Sequence, residues 1–289
     1  MKINILIPVY NDWQSVFKLL DEINLSLKNL EHEVSVIIIN DASNHDREEE
    51  DKDFENINSL KILNMKINQG HGRCIATGLK YIFEKENFDY VIPMDGDGED
   101  RPEEIKNFID QISNSNIQPI VGERVKRSED LIFKICYQLH KLITLTFTGK
   151  TIKFGNFTCL PKSVVSQMVN ESATWSSFSG SLSKITKERK SIRSIRGIRY
   201  FGPSKMSFYN LIKHSFSIIS VFKFTVLIRS LIFLTVYLFI ISKNISLITL
   251  IPVVFATIMN ISTFFLSKRE NIYEFNKSLE NIDHVEVFK

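Results

Sequence analysis

A run of 23 residues without a charged side chain, Ile245–Ser267, limits what the C-terminal third of this chain can fold into. A helix of that length is long enough to cross the hydrocarbon core of a bilayer. Before it, Phe224–Ser242 is apolar except for Arg229, and the two runs are separated by Lys243-Asn244 alone. The pattern predicts two transmembrane helices joined by a tight turn. Two buried helices of a soluble core are the alternative, which the length of the runs disfavours.

Basic residues flank one end of this predicted hairpin. Lys223 and Arg229 lie at its start and Lys268 and Arg269 follow it, whereas Lys243 alone marks the turn. By the positive-inside rule, both ends of the hairpin are expected in the cytoplasm. The preceding stretch, residues 206–222, has an amphipathic pattern that predicts a juxtamembrane helix on the membrane surface.

The first two thirds of the chain alternate short β-branched runs with helix-length amphipathic stretches. Nearly continuous apolar strands between helices are typical of a mostly parallel α/β sheet with helices on both faces. The predicted strands are Ile3–Ile7, Val34–Ile39, Leu60–Leu63, Tyr90–Pro93 and Pro119–Val121. The predicted helices are Trp13–Leu30, with Asp12 as its cap, and stretches at about 70–86 and 102–113. Polar residues 44–58 are expected to form a solvated loop.

Composition and charge narrow the possible partners and compartment. The chain has 289 residues, and its net charge of +3 is too small to indicate nucleic-acid binding. Residues 184–205 carry eight basic residues against one acid, which suggests phosphates or an anionic membrane surface nearby. Cys74, Cys136 and Cys159 are scattered and odd in number, so neither a disulfide framework nor a zinc site is indicated. The first residues have no pattern of a signal peptide, and a reducing compartment is expected.

Three polar clusters follow three of the predicted strands, at Tyr10–Asp12, Asn40-Asp41 and Asp95-Gly96-Asp97. Because ligands bind outside the carboxyl ends of strands in open α/β sheets, these clusters are expected to converge on one crevice. Two carboxylates one residue apart can hold a hard divalent cation that also accepts phosphate oxygens. A calcium loop of the EF-hand type does not fit, since Asp100 and Lys106 occupy its required Gly and Glu positions. An acidic turn that caps a helix near Pro102 stays open as an alternative.

Four motifs give the chain a recognisable signature. These are Pro8-Val9-Tyr10-Asn11-Asp12, Asn40-Asp41-Ala42-Ser43, Asn68-Gln69-Gly70-His71-Gly72-Arg73 and Asp95-Gly96-Asp97. In order and spacing they resemble family 2 glycosyltransferases of the GT-A fold. Residues 199–207 and the two-helix hairpin look like the polyprenyl-phosphate branch, to which dolichol-phosphate mannose synthase belongs, and like its membrane-anchored bacterial members.

The resemblance implies a role for each matching residue. It assigns the base, ribose and phosphates of a nucleotide-sugar donor to Pro8, Tyr10, Asp12, Asp41, Arg73, Asp95 and Gly96. It makes Asp95 and Asp97 the DxD-type catalytic motif, with Mg²⁺ or Mn²⁺ bridging Asp97 to the diphosphate. For the phosphate of a lipid acceptor it suggests Arg124, Arg127, Arg199, Ser204 and Lys205. A solvated or headgroup-binding face is the competing interpretation of residues 184–205.

Two positions depart from the family pattern. The family has an Asp shortly before a Gly-Phe pair, where this chain reads Thr151–Thr158 with no carboxylate and with Asn156 at the glycine position. A hydroxyl acceptor would need a general base there, whereas an anionic phosphate monoester depends less on one. In addition, Asn40 replaces the first acid of the usual Asp-Asp pair. His71 and His140 are expected to have structural roles and not catalytic ones, although His71 could lie near the nucleotide.

The resulting expectation is a membrane-anchored, metal-dependent inverting glycosyltransferase at the bacterial cytoplasmic membrane, with its catalytic domain facing the cytoplasm. Its acceptor would be undecaprenyl phosphate, and its hairpin could associate protomers into a homo-oligomer. The expected divisions are a catalytic domain (residues 1–205), a juxtamembrane helix (206–222), the hairpin (223–267) and a cytoplasmic tail (268–289). A saccharide or lipid-linked oligosaccharide acceptor remains an alternative, and so does a non-catalytic membrane scaffold. A sugar nucleotidyltransferase is disfavoured, because no Gly-rich basic loop follows the first strand.

Overall fold

The computed structural model describes residues 1–45, 47, 54–112, 118–126, 131–203 and 208–289. Within them, the strands of the sheet are β1 (Lys2–Val9), β2 (Glu33–Asn40), β3 (Ser59–Met65), β4 (Tyr90–Pro93), β5 (Ile120–Lys126), β6 (Phe154–Pro161), β7 (Lys190–Ile195) and β8 (Ile282–Val287). The helices are α1 (Trp13–Ser26), α2 (His71–Lys85), α3 (Glu104–Gln111), α4 (Leu131–Thr148), α5 (Lys162–Val169), α6 (Phe178–Ile185), α7 (Phe208–Ser220), α8 (Lys223–Ile241), α9 (Leu247–Ser267) and α10 (Ile272–Asn276).

All of these strands belong to one sheet, in the order β7-β5-β6-β4-β1-β2-β3-β8. The central strands β4, β1, β2 and β3 are parallel, as are β5 and β7. Strand β6 runs antiparallel to both of its neighbours, and β8 runs antiparallel to β3. The predicted mostly parallel α/β sheet is therefore confirmed.

The sheet is covered on both faces because its central strands are apolar on both sides. Leu6 of β1 packs in the cluster with α2, while Ile5 and Ile7 belong to the cluster with α1 and α3. Helix α2 lies so close to β1 that a Cβ at Gly78 would stand 2.3 Å from Cδ1 of Leu6. The absence of a side chain at this position allows that close approach.

The stretch of residues 44–58 is not the fully solvated loop that its polarity predicts. In its described part, Phe54 and Ile57 are buried in the cluster that covers α1. Burial of these two side chains removes their apolar area from water and holds this described part of the stretch against the sheet.

Helices α8 and α9 are long and apolar enough to cross a membrane. Of the apolar window of each helix, 17% is buried within the protein. At the start of the hairpin, Arg229 Nη1 donates to the carbonyl oxygen of Thr146 at 3.0 Å. Phe147 and Phe255 have ring centroids 6.1 Å apart. These contacts fix α4, a helix that the sequence analysis did not predict, against the hairpin.

The segment after the hairpin returns to the sheet. Strand β8 pairs with β3, so that Leu63 lies opposite Val285. Phe275 of α10 is fully buried and stacks on Trp175, with ring centroids 5.5 Å apart. The sequence analysis gave this segment no function, and the structure makes it part of the core and of the sheet.

Candidate functional site

Three strand ends bring the predicted polar clusters to one edge of the sheet. Val9 of β1 lies opposite Asn40 of β2, and Leu6 lies opposite Pro93 of β4. The residues that follow these strands therefore leave the sheet at a common carboxyl edge, where the crevice was expected.

Hydrogen bonds from backbone N–H groups to carboxylates of the same loop hold the loop after β4. The backbone N–H of Asp95 donates to Oδ2 of the buried Asp100 at 2.9 Å, and that of Glu99 donates to Oδ1 of Asp97 at 3.1 Å. A Cβ at Gly96 would meet Val16 at 3.0 Å and Ile7 at 3.2 Å, so the glycine allows close packing against β1 and α1, and its contact with the donor stays a prediction.

Arg199 joins two of the three strand ends. Its Nη1 donates to Oδ2 of Asp97 at 2.6 Å, and its Nη2 donates to Oδ2 of Asp12. Asp12 occupies the N-cap position of α1 without a side-chain cap bond, contrary to its predicted role, and accepts a hydrogen bond from Ser15 Oγ at 2.7 Å. A residue predicted for the acceptor phosphate thus lies on the acids predicted to bind the donor.

His71 and Asn156 complete the neighbourhood of Asp95. Nε2 of His71 lies 3.3 Å from Oδ1 of Asp95 and 2.8 Å from Nδ2 of Asn156. The sequence analysis noted both positions separately but did not pair them, because 85 residues separate them along the chain. The departure from the family pattern at Asn156 was the one available signal.

The charges at the edge shift one another's proton affinities. Burial alone would raise the pKa of Asp95, but His71, Arg124 and Arg196 together hold it below its usual value. Burial and the neighbouring Asp95 raise the pKa of Asp97, and the same two causes raise the pKa of Asp100 to about 7. Burial would lower the pKa of His71, but Asp95 outweighs it and raises the pKa.

Asp41 is buried and holds the loop before α2. Its two carboxylate oxygens accept the backbone N–H groups of Gln69 at 2.6 Å and Gly70 at 2.8 Å. The side-chain amide of Asn68 donates to the carbonyl oxygen of Asp41 at 3.1 Å. The structure therefore gives Asp41 a loop-forming role, and its contact with the donor stays a prediction.

Arg73 points toward the segment after the hairpin. Its Nη2 lies 3.2 Å from Oε2 of Glu274, and its guanidinium carbon lies 4.8 Å from the ring centre of Trp175. The indole N–H of Trp175 donates to the same Glu274 oxygen at 3.1 Å. The contact of Arg73 with the donor stays a prediction.

Three of the remaining predicted residues, Pro8, Tyr10 and Arg124, lie within the described part of the chain, and three lie outside it. Pro8 is buried at the end of β1, and Tyr10 beyond it is exposed. Nη2 of Arg124 lies 3.5 Å from Oδ1 of Asp100, at the edge of the acidic loop. Arg127, Ser204 and Lys205 lie outside the described residues.

The acidic loop fits a metal ion that is shared with a ligand. Oδ1 of Asp95 is buried and, in the described part of the chain, has the ion pair with His71 but no hydrogen-bond partner of acceptable geometry. No group of three or more His, Cys, Asp or Glu side chains that could hold a metal alone occurs among the described residues. Two carboxylates leave most of an octahedral Mg²⁺ or Mn²⁺ shell to phosphate and water oxygens, as a nucleotide-bound metal requires.

Comparison with known proteins gives both a family and relatives. The family model described as glycosyl transferase family 2 matches residues 4–165. An undecaprenyl-phosphate 4-deoxy-4-formamido-L-arabinose transferase from Proteus mirabilis is 25% identical over 226 residues, which are 76% of this chain and 67% of that protein. The enzyme of the same name from Yersinia pestis is 25% identical over 55% of this chain and 47% of its own length.

A solved structure supports the fold. Glucosyl-3-phosphoglycerate synthase from Mycobacterium tuberculosis, in complex with Mn²⁺, UDP-glucose and phosphoglyceric acid, superposes with a TM-score of 0.52. The match covers 79% of each chain at 13% sequence identity. At that identity the likeness concerns the GT-A fold.

Proposed function

Because the chain belongs to glycosyl transferase family 2, and is therefore a glycosyltransferase, we propose that it transfers a sugar from a nucleotide-sugar donor to a polyprenyl phosphate at a bacterial cytoplasmic membrane. One observation carries this proposal: the apolar hairpin is inserted within the same fold that forms the acidic edge. The chain returns from the hairpin to the sheet, where β8 pairs with β3. The relatives named for undecaprenyl phosphate support the choice of acceptor.

The donor would lie across the carboxyl edge of β1, β2 and β4. Asp95 and Asp97 would hold Mg²⁺ or Mn²⁺, which neutralises the charge that develops on the departing nucleoside diphosphate. Tyr10 is exposed beside this edge, where its ring offers a surface to the base. Asp41 would act through the loop that it holds, residues 68–70.

The acceptor would attack through an oxygen of its phosphate. The bond from that oxygen to the anomeric carbon forms as the bond to the donor diphosphate breaks, and direct displacement inverts the configuration. A phosphate monoester is largely anionic at neutral pH, so the step needs no carboxylate base at Thr151–Thr158, where the chain has none. Arg124, which lies beside Asp100, would hold the acceptor phosphate.

The membrane would bring the acceptor to this site. Leu139, Leu142 and Leu145 of α4 are exposed, and the same helix contacts the hairpin through Phe147 and Phe255. The basic residues Lys223, Lys268 and Arg269 at the ends of the hairpin favour a cytoplasmic catalytic domain.

The test is transfer of labelled sugar in detergent. We expect purified protein with Mn²⁺, undecaprenyl phosphate and a panel of labelled nucleotide sugars to give an organic-extractable product. Asp97→Asn should lower the rate of product formation on the order of 10²-fold or more, because the charge that develops on the leaving nucleoside diphosphate is then no longer neutralised. Asp110→Asn, an exposed carboxylate on α3, is the matched control and should act like the wild type.

Two outcomes would contradict the proposal. A water-soluble saccharide product would assign a different acceptor. Metal-dependent nucleotide binding without transfer to any acceptor would make the protein a membrane scaffold.

A further inference from the structure

The guanidinium of Arg199 lies at the carboxyl edge of the sheet, between two carboxylates. Its two terminal nitrogens contact carboxylates that follow different strands, Asp97 after β4 and Asp12 after β1. Its Nε donates to the carbonyl oxygen of Phe201 at 2.9 Å, which sets the plane of the guanidinium. The Arg199 side chain is 13% exposed, so the ion pairs are poorly screened by water.

The segment that carries Arg199 does not depend on this side chain for its position. The backbone N–H of Gly197 donates to the carbonyl oxygen of Glu99 at 2.8 Å, and that of Tyr200 donates to the carbonyl oxygen of Asp97 at 2.9 Å. The ring of Tyr200 covers Gly98, where a Cβ would stand 2.4 Å from it. The guanidinium can therefore leave the carboxylates while the segment remains attached to the acidic loop.

Both carboxylate oxygens of Asp97 have hydrogen-bond partners. Oδ2 accepts from Arg199 at 2.6 Å and Oδ1 accepts the backbone N–H of Glu99 at 3.1 Å. A divalent cation that binds Asp97 must displace one of these donors, and it is repelled by the guanidinium as long as that group stays.

From this geometry we propose that Arg199 is a built-in substitute cation, which holds Asp97 and Asp12 in the donor-free enzyme and weakens the binding of a metal ion alone. The metal then binds together with a nucleotide diphosphate, whose negative charge offers the displaced guanidinium another partner. The inference rests on the proposed function in taking Asp97 as a metal ligand. It makes Arg199 a positioning residue that couples metal binding to donor binding.

The experiment measures free Mn²⁺ by electron paramagnetic resonance, in the presence and absence of UDP. Without UDP, we expect Arg199→Gln to bind Mn²⁺ on the order of 10-fold more tightly than the wild type, since a competing charge is gone. UDP should strengthen Mn²⁺ binding to the wild type by a larger factor than it does for this variant, since coupling is reciprocal.

Two further variants distinguish the contact of Arg199 with both carboxylates from a nonspecific effect of positive charge. Arg199→Lys keeps one positive charge but cannot span two carboxylates, so its affinity for Mn²⁺ should lie between those of the wild type and Arg199→Gln. Arg101→Gln removes a guanidinium nearby that pairs with Glu103, and it should leave Mn²⁺ binding unchanged. Thermal melting verifies that each variant is folded. If Arg199→Gln does not fold, the lysine variant decides alone.

The outcomes distinguish this inference from the proposed function. Equal or weaker Mn²⁺ binding by Arg199→Gln without UDP, while UDP still supports binding, would overturn the role of Arg199 alone. Failure of the wild type to bind Mn²⁺ even with UDP would overturn both.

Discussion

Three aspartates within six residues of the loop after β4 differ in their proton affinity. Asp95 has a lowered pKa because of His71 and the arginines that outweigh its burial, whereas burial and Asp95 raise the pKa of Asp100 to about 7. Asp100 is the one buried most deeply, and its Oδ2 accepts the backbone N–H of Asp95. Residue type alone does not separate such neighbours, because their local surroundings set their charge.

The raised pKa of Asp100 predicts a stability that falls with pH. The unfolded chain releases this proton near the usual value of 3.8, while the folded protein keeps it up to about pH 7. The folded state therefore binds more protons in that interval, and the free energy of unfolding decreases as the pH rises, by at most about 1.4 kcal/mol per pH unit from this group.

Asp100→Asn imitates the neutral acid and can still accept the N–H of Asp95. We expect the variant to lose less stability than the wild type between pH 5 and 8, measured by thermal unfolding in detergent with a chelator present. Parallel curves for the two proteins would contradict the assignment.

At the same scale, the sequence predicted that Asp95 and Asp97 follow a strand at the edge of the sheet, but it did not predict the residues that contact them. Asp95 and Asp97 were recognisable because a strand, a glycine and two carboxylates adjoin one another. The contacts of His71 with Asp95 and Asn156, and of Arg199 with Asp12, join residues between 24 and 187 positions apart. Such pairs depend on how strands are ordered in the sheet, which local pattern does not contain.

At the scale of elements, the short helix α10 binds the segment after the hairpin to the core. Its Phe275 is 0% exposed and lies in the same cluster as α2, α5 and α6. Glu274 beside it accepts from Asn271 Nδ2 at 3.0 Å and from Trp175 Nε1 at 3.1 Å, and pairs with Arg73.

Phe275→Ala is expected to destabilise the catalytic domain by about 3 to 5 kcal/mol, because it removes a buried ring and leaves a cavity. Tyr273→Ala is the matched control on the same helix, where the ring is 64% exposed, and should cost less than about 1 kcal/mol. Denaturant unfolding in detergent measures both. Equal effects would show that α10 does not contribute to the core.

The sequence pattern of this segment could not reveal its place. Strand β8 reads Ile-Asp-His-Val-Glu-Val, whose alternation is that of an exposed strand, and Asp283, His284 and Glu286 suggest a solvated tail. The partner strand β3 lies more than 200 residues earlier in the chain. By contrast, β1 and β2 were predicted well, since their continuous apolar runs require burial on both faces.

At the scale of the whole molecule, both ends of the hairpin connect to the α/β domain. Lys223 at the start of α8 and Glu270 after α9 are 3.8 Å apart at their charged atoms, so the two ends of the hairpin lie on one side. Length and charge asymmetry predicted this arrangement from sequence, and the proposed orientation places that side in the cytoplasm.

Cysteine labelling in intact cells tests the orientation. In a background without the native cysteines, Asn244→Cys at the turn should react with a membrane-impermeant maleimide added outside. Asp283→Cys on β8, where the side chain is 59% exposed, is expected to react after permeabilisation alone. The reverse pattern would place the catalytic domain outside the cytoplasm.

The pairing of β8 with β3 also sets an order of assembly. Synthesis proceeds from β3 through the hairpin to β8, so the outer edge of β3 stays open while α8 and α9 emerge from the ribosome. An open strand edge is a site of aggregation until it is covered. The nascent sheet therefore acquires its protective edge strand only after the hairpin has been made, so that, under the proposed membrane anchoring, the catalytic domain matures only after the hairpin is inserted.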